Sequence, residues 1–418
     1  MAEQKTPLAR LAKRDAMSPW QIWCIRLSSF LAALLLGALI FQLIGQNPLS
    51  AYGTILSGAL GKATAVRQTV KIAVPLLGTA LAIAPCFKMR FWNIGAEGQI
   101  TAGAVAASYF ALFWYDKLPS PLLLCVMGAA GILAGGVWAM IPALCKAKWD
   151  TNETLFTLMM NYIIIGVVRW LQGGPWEGRP GSQIIPQFNA AAVLPKVLGV
   201  HCGWIVVLIL TVLMYVYMNY TKHGYEIAVI GESGNTARYA GMDVGWIMVR
   251  TLFLSGGVSG LVGFLVASGA NTTLYDGVAA GVGFTAITVA WLAQLNPFAM
   301  VAISALLAVL DKGADTLQTR MAVPASISDI ITGIFLFCML GCEFFINYRL
   351  IFRGRENTAD ENPSGGTLSG GLSDRTLCGG TPDRKPSDGG RGKELSGGES
   401  AEKPSDAKPG ERRKEAGA

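Results

Sequence analysis

Charge is scarce in this chain. Only 15% of its 418 residues are Asp, Glu, Lys or Arg, against 52% hydrophobic. With a mean hydropathy of +0.43, this excludes an ordinary soluble globular protein, in which about a quarter of the residues carry charge. Histidine is scarcer still, with His201 and His223 alone, and eight cysteines form no Cys-x-x-Cys pair. No credible metal or redox motif can be built from that set. Cys338 and Cys342 stand one helical turn apart inside an apolar run, where packing is the default role. No nucleophile, base and orienting group form a recognisable constellation. The stretch SGALGKAT around Lys62 approaches a phosphate loop and fails, because Leu56 stands where the first Gly belongs and Ala63 where Ser or Thr must follow Lys62. The chain is therefore not expected to be an enzyme or to bind ATP.

What is present is long apolar sequence. A membrane helix needs about 20 mostly apolar residues, and about ten segments qualify: residues 24–45, 69–86, 95–115, 121–144, 154–172, 203–220, 248–269, 279–294, 297–311 and 327–348. The basic stretch LARLAKR precedes the first without a small-residue cleavage pattern after it, so that segment reads as a retained span. The expected fold is an all-α polytopic membrane protein of about ten transmembrane helices with inverted repeats. Three parts are predicted: a cytoplasmic N-terminal segment (1–23), a transmembrane domain (24–350) and a disordered low-complexity tail (351–418). The tail is rich in Gly, Ser, Pro and charge, and has too little apolar surface to offset its ordering entropy.

The net charge of +7 belongs to the apolar part, since the tail from Arg355 carries eleven Lys and Arg against twelve Asp and Glu. Those cations cluster in short connections: KMR (Lys88 to Arg90), KAK (Lys146 to Lys148), Thr221 to Gly245, and RLIFRGR (Arg349 to Arg355). An arrangement with both termini inside makes all of these cytoplasmic, and no nucleic-acid role is needed to explain them. The opposite side receives the loop from Gly173 to Gly199 and the segment NPLSAYGTILSGALG, which reads as a short helix on the outer surface.

Three motifs carry chemistry. In FWNIGAEGQI, polar side chains at membrane depth are costly and commonly face a cavity or a protein interior, while Gly95 and Gly98 permit a helix break whose free N–H groups could hold solute oxygens. Trp92, Asn93, Glu97 and Gln99 are candidate path residues; the alternative is a hydrogen-bonded cluster that only holds the fold. A second Gly-broken segment, Asp276 to Pro297, adds Phe284 and Thr285 to the path, and paired broken segments point to a transporter's central site. Aromatic rings there could stack on a flat solute, or simply pack. In GESGNTARYAGMD, Ser233 or Asn235 could cap a short helix through Tyr239 that Gly241 stops. It reads either as a docking knob or as a solvated turn.

In their order and spacing, these stretches, with NETLFTLMMNYI (Asn152 to Ile163) and the GGPW turn (Gly173 to Trp176), resemble the membrane permease subunits of bacterial ABC importers of the branched-chain amino acid, ribose and nucleoside group. The simple-sugar and nucleoside permeases are closest. Trp92 stands where an aliphatic residue commonly opens the NIGAEGQ motif, and the tail has no counterpart in the pattern. The resemblance implies a second permease subunit, an ABC ATPase and an extracytoplasmic substrate-binding protein or lipoprotein as partners in the bilayer. ATP and magnesium would sit on the ATPase, leaving no cofactor in this chain. It further implies that Glu232, Ser233, Asn235, Ala237, Arg238, Tyr239, Ala240 and Gly241 form the coupling helix; because small residues can sit deep in a groove and an aromatic can anchor an interface, Ala237, Tyr239 and Ala240 are expected in close contact with the ATPase and Glu232 and Arg238 at the rim. The expected cargo is a small neutral polar solute, a nucleoside first, with a sugar or branched-chain amino acid as alternatives. An ion-coupled secondary transporter using Glu97 is the rival mechanism, and an uncoupled membrane scaffold or channel is the rival class.

Overall fold

Helices follow the apolar runs, and short polar caps end them. The computed structural model describes residues 9–13 and 18–352; the tail from 353 and residues 1–8 and 14–17 of the N-terminal segment lie outside the described residues. The long helices are α1 (Pro19–Leu43), α2 (Pro48–Leu60), α3 (Ala63–Lys88), α4 (Ala96–Phe113), α5 (Ser120–Trp149), α6 (Glu153–Gln172) and α7 (Gly203–Tyr220). Two short helices follow, α8 (Lys222–Glu232) and α9 (Gly234–Tyr239), then α10 (Val244–Leu265), α11 (Val282–Leu292), α12 (Pro297–Met321) and α13 (Ala325–Asn347). A π-helical turn, Val266–Asn271, extends α10. Four short strands pair as two antiparallel ribbons, β1 (Ala9–Lys13) with β4 (Tyr348–Phe352) and β2 (Lys196–Val197) with β3 (Val200–His201).

Helix starts obey local chemistry. Asn47, Asn152, Thr221, Asp243 and Asn296 each accept a backbone N–H of the helix they precede, and Pro19, Pro48 and Pro297 occupy first turns, where a missing N–H costs nothing.

Among the described helices, seven are long and apolar enough to cross a membrane: α1, α3, α5, α6, α7, α10 with its π turn, and α12. The other three expected spans differ for physical reasons. Protein surrounds α4 from Ala96 to Ala104, so its Gly, Ala and Thr face neighbouring helices and not lipid. Only 11 residues long, α11 begins at the turn of Gly281. In α13 the apolar stretch is Ile330–Ile346.

The centre is a triad of helices, α4, α5 and α10, in backbone contact. A Cβ added at Gly103 would overlap Gly260, one at Gly260 would overlap the Gly131 carbonyl, and one at Gly263 would overlap the Ile100 carbonyl. Small residues let membrane helices approach this closely and gain dispersion contact without a hydrophobic driving force. The segment expected to be a short surface helix forms α2, which buries Ala51, Ile55, Gly58 and Ala59. It packs against α12, with Ile55 over Gly313 and Thr316 over Gly58.

The bundle has two distinct ends. At one, Lys88 donates to the Met218 carbonyl at 3.0 Å, Lys146 pairs with Asp150 and Glu153, and Trp92 stacks on Trp291. At the other, the loop from Gly173 to Gly199 is stitched down: Ser120 donates to the Ala191 carbonyl, Ser268 to the Ala192 carbonyl, and the Phe188 N–H to the Thr272 carbonyl.

Candidate functional site

The chain break between α3 and α4 is held by side chains from both sides. Asn93 Oδ1 accepts the Gly95 N–H at 3.0 Å and Gln99 Nε2 at 3.1 Å. From α6, Asn161 accepts the Gly98 N–H at 2.8 Å and donates to the Ile94 carbonyl at 3.0 Å, while Thr157 accepts the Ile94 N–H at 3.2 Å. Every backbone group that the break exposes at Ile94, Gly95 and Gly98 thus has an internal partner, as burial requires.

Glu97 reaches across to the second break. Its carboxylate accepts the N–H groups of Gly281 at 2.8 Å and Gly283 at 2.7 Å. Gly281 has a φ of +75° and no side chain to cap α11, so an anion from a different helix takes the cap position, where the helix dipole favours it. Gly283 lies against the Glu97 backbone so tightly that a Cβ there would overlap it. The two Gly-broken segments are therefore joined through Glu97. The N–H groups of Gly95 and Gly98, expected to hold solute oxygens, are already taken by Asn93 and Asn161, those of Gly281 and Gly283 by Glu97, and Asn93 and Gln99 bond to each other within the buried interior. Asn93, Glu97 and Gln99 are thus all engaged in buried hydrogen bonds to one another or to the backbone of the two breaks.

The aromatic candidates are more accessible. Trp92 is 47% exposed and stacks on Trp291 with ring centroids 5.5 Å apart and 27° between planes, and Phe87 packs on both rings. Phe284 is exposed and shares a face of α11 with Trp291, seven residues on. Thr285 is half-buried and donates to the Gly281 carbonyl at 3.3 Å.

A cavity of about 300 Å³ adjoins the Glu97 junction. It reaches Ile100, Ala280 and Val282, and its polar wall is formed by Gln68, Lys71, Asn271, Tyr275 and Asp311. None of the six path residues expected from the sequence lines it. Two of the missed residues, Lys71 and Asp311, carried a legible signal, since a formal charge within an apolar run marks a path or a pocket. Asn271 and Tyr275 carried none, because they enter the cavity through the π turn and the irregular segment after it.

At the other predicted site, α9 spans Gly234–Tyr239, with the Ser233 hydroxyl accepting the Thr236 N–H at 3.3 Å. Gly241, with a φ of +76°, ends the turn. Glu232, Asn235, Arg238, Tyr239 and Ala240 are exposed, Tyr239 at 93%. Ala237 requires a correction: expected to touch a partner, it is fully buried and packs in a core cluster with Cys86, Phe91 and Ile227. A short helix lying on a surface must turn one face inward, and Ala237 is on that face. Sequence reading also missed a polar brace beneath α8. His223 bonds Tyr217 through Nδ1 and accepts Arg250 Nε at 3.0 Å, and Arg250 pairs with Glu226 at 2.7 Å. Burial, then the Arg250 charge, push the His223 imidazole below the ordinary histidine value.

Comparison with known proteins adds a second kind of finding. Residues 65–340 match the family described as branched-chain amino acid transport system / permease component. The chain is 31% identical over 375 residues to the glucose ABC transporter permease protein TsgB13 of Haloferax volcanii, covering 85% of this chain and 98% of that one. It is 28% identical over 319 residues (75% and 91%) to the guanosine ABC transporter permease protein NupP of Bacillus subtilis. With the nucleoside ABC transporter permease protein NupB of Lactococcus lactis subsp. cremoris it shares 26% over 329 residues (76% and 90%).

Proposed function

Because the chain belongs to the family of branched-chain amino acid transport system permease components, and so is a membrane permease subunit of an ABC importer that does not itself hydrolyse ATP, we propose that it conducts a nucleoside inward across the bacterial cytoplasmic membrane. The observation that carries the solute reading is the cavity beside Glu97. It holds one cationic and one anionic residue, two amides and a phenol, a lining suited to a neutral solute rich in both donors and acceptors. At about 300 Å³ it lies at the small end of ligand pockets, roughly 300–1,000 Å³. Two of the relatives named above are guanosine and nucleoside permeases. A sugar is the second reading, favoured by the glucose permease among them.

In this reading the chain works with a second permease subunit, an ATPase that holds ATP and magnesium, and an extracytoplasmic binding protein. The cation-rich end, with Lys88, Lys146, Lys222 and Arg250, faces the cytoplasm, and both chain termini lie there. The exposed face of α9 docks on the ATPase through Tyr239 and Ala240, with Glu232 and Arg238 at the rim. Trp92, Phe284 and Thr285 line the path below the Glu97 junction, which separates it from the cavity above. Alternating access would part that junction as the membrane halves move.

The test is uptake of labelled guanosine, glucose and leucine by cells expressing the complete importer, each with the others as competitors. Guanosine uptake that survives an ionophore and stops on ATP depletion is the expected result. Uptake abolished by the ionophore with ATP intact would revive an ion-coupled mechanism, and competition by glucose alone would move the assignment to a sugar.

A further inference from the structure

Two cavities meet at Gln68. It lines the solute cavity and also a second pocket, of about 240 Å³, set between the end of α2, the start of α3 and the second half of α12. Among the described residues that wall this pocket are three cations, Lys62, Lys312 and Arg320, and no carboxylate. Lys312 pairs with Asp315 at 3.4 Å. Lys62 and Arg320 make no ion pair among the described residues, so two of the three positive charges are uncompensated. Thr64 and Gln68 add a hydroxyl and an amide that have no hydrogen-bond partner among the described residues.

The position of the pocket relates it to the solute. The second half of α12 exposes Asp311, Asp315, Gln318, Thr319 and Arg320, a density of charge and polarity that does not face hydrocarbon, so the pocket opens to water. Arg67, beside Gln68, donates to the Leu198 carbonyl at 3.0 Å, which puts the pocket at the end of the bundle that carries the loop from Gly173 to Gly199. In the orientation proposed above, the pocket is therefore outward of the cavity. Lys71 and Asp311 of the cavity each stand nine residues from a cation of the pocket, Lys62 on α3 and Arg320 on α12, about 13–14 Å of helix. One elongated molecule fits both, its polar body in the cavity and an anionic group beyond Gln68. The charge identifies that group: a phosphate monoester carries about −1.5 to −2 at pH 7, the match for two uncompensated cations, and guanidinium and ammonium groups both hold phosphate oxygens. We propose that the pocket is a phosphate subsite of the solute cavity, so that the permease accepts a phosphate monoester of its solute as well as the neutral solute. The inference rests on the cavity being the solute site.

The experiment is equilibrium binding of labelled guanosine and labelled guanosine 5′-monophosphate to the full-length chain purified with its partner subunits in phosphatidylcholine nanodiscs. The monophosphate should bind roughly tenfold tighter, as one charge-assisted contact implies. The double variant Lys62→Gln with Arg320→Gln changes two exposed side chains and should bring the monophosphate to the affinity of guanosine without altering guanosine itself. Guanosine binding with no gain for the monophosphate overturns the subsite and leaves the nucleoside reading standing. Monophosphate binding that the double variant loses, with no guanosine binding at all, keeps the subsite and removes the neutral nucleoside as solute. A gain that persists in the double variant, or no binding of the monophosphate, overturns the proposal. Two further arms separate the sources of phosphate. Loss of the gain in phosphatidylglycerol nanodiscs would give the pocket to a lipid headgroup, and inorganic phosphate displacing the monophosphate as well as the monophosphate displaces itself would make it a free-anion site; either overturns the proposal.

Discussion

At the scale of single residues, Glu97 is the most informative. Glu97→Gln keeps one acceptor but turns an amide N–H2 toward one of the two glycine N–H groups, so one charge-assisted hydrogen bond is lost and one buried donor is left facing a donor. The expected cost is about 1–3 kcal/mol at the junction, and the variant should insert normally with uptake reduced by about tenfold at most. Uptake and thermal unfolding measured on the same preparation check this; collapse of uptake at unchanged stability would give the charge itself a role in transport. His201 supplies a pH prediction. Its ring is buried, with no hydrogen-bond partner on either nitrogen among the described residues, and burial, with Lys71 adding repulsion, lowers its pKa to about 4. A depressed histidine pKa means that the unfolded chain binds the proton more readily. Stability is therefore complete above about pH 6.5 and declines as pH falls toward 4, by on the order of 3 kcal/mol in all. Thermal unfolding in detergent between pH 7.5 and 4.5 should show that slope, and His201→Phe should flatten it.

At the scale of elements, α9 separates two effects that its sequence runs together. Ala237→Leu forces a larger side chain into a filled core position and should destabilise the permease itself by about 1–3 kcal/mol, whether or not an ATPase is present. Tyr239→Ala removes a ring that touches water over nearly all its surface, so the fold should be untouched. If α9 docks as proposed, ATPase recovery on co-purification should fall markedly, because aromatic anchors dominate interfaces. Full recovery with Tyr239→Ala would remove the docking assignment. The α4, α5 and α10 triad makes the complementary case. Gly260→Leu cannot be accommodated against the Gly131 backbone and should abolish stable insertion, read as loss of the full-length band from the membrane fraction.

For the whole molecule, the helical membrane architecture was legible because apolar runs of helix length have few alternatives in a bilayer, where every backbone N–H and C=O must be satisfied within a helix or a closed barrel. Charge placement between the runs followed the same logic. The residues from 353 onward lie outside the described structure, and their composition supports one expectation: a chain ending at Arg355 should transport as the full one does, since the tail is charge-balanced and has little apolar surface to bury. Uptake assays on the truncated importer, normalised to inserted protein, test it directly.

The sequence by itself determined the class of molecule, a cap at Ser233 or Asn235 for the short helix through Tyr239, and the two glycine-broken segments, because each depends on local pattern: apolar length, a side chain that accepts a nearby N–H, a residue without Cβ. Only the tertiary structure decided that Glu97 caps the helix starting 185 residues later, at Val282, that Ala237 faces inward while Tyr239 faces out, and that Gln68, Lys71, Asn271, Tyr275 and Asp311 share one cavity. These are contacts between segments far apart in the chain. Their partners are chosen by how helices cross and how closely glycines let them approach, and no window along the sequence contains that information.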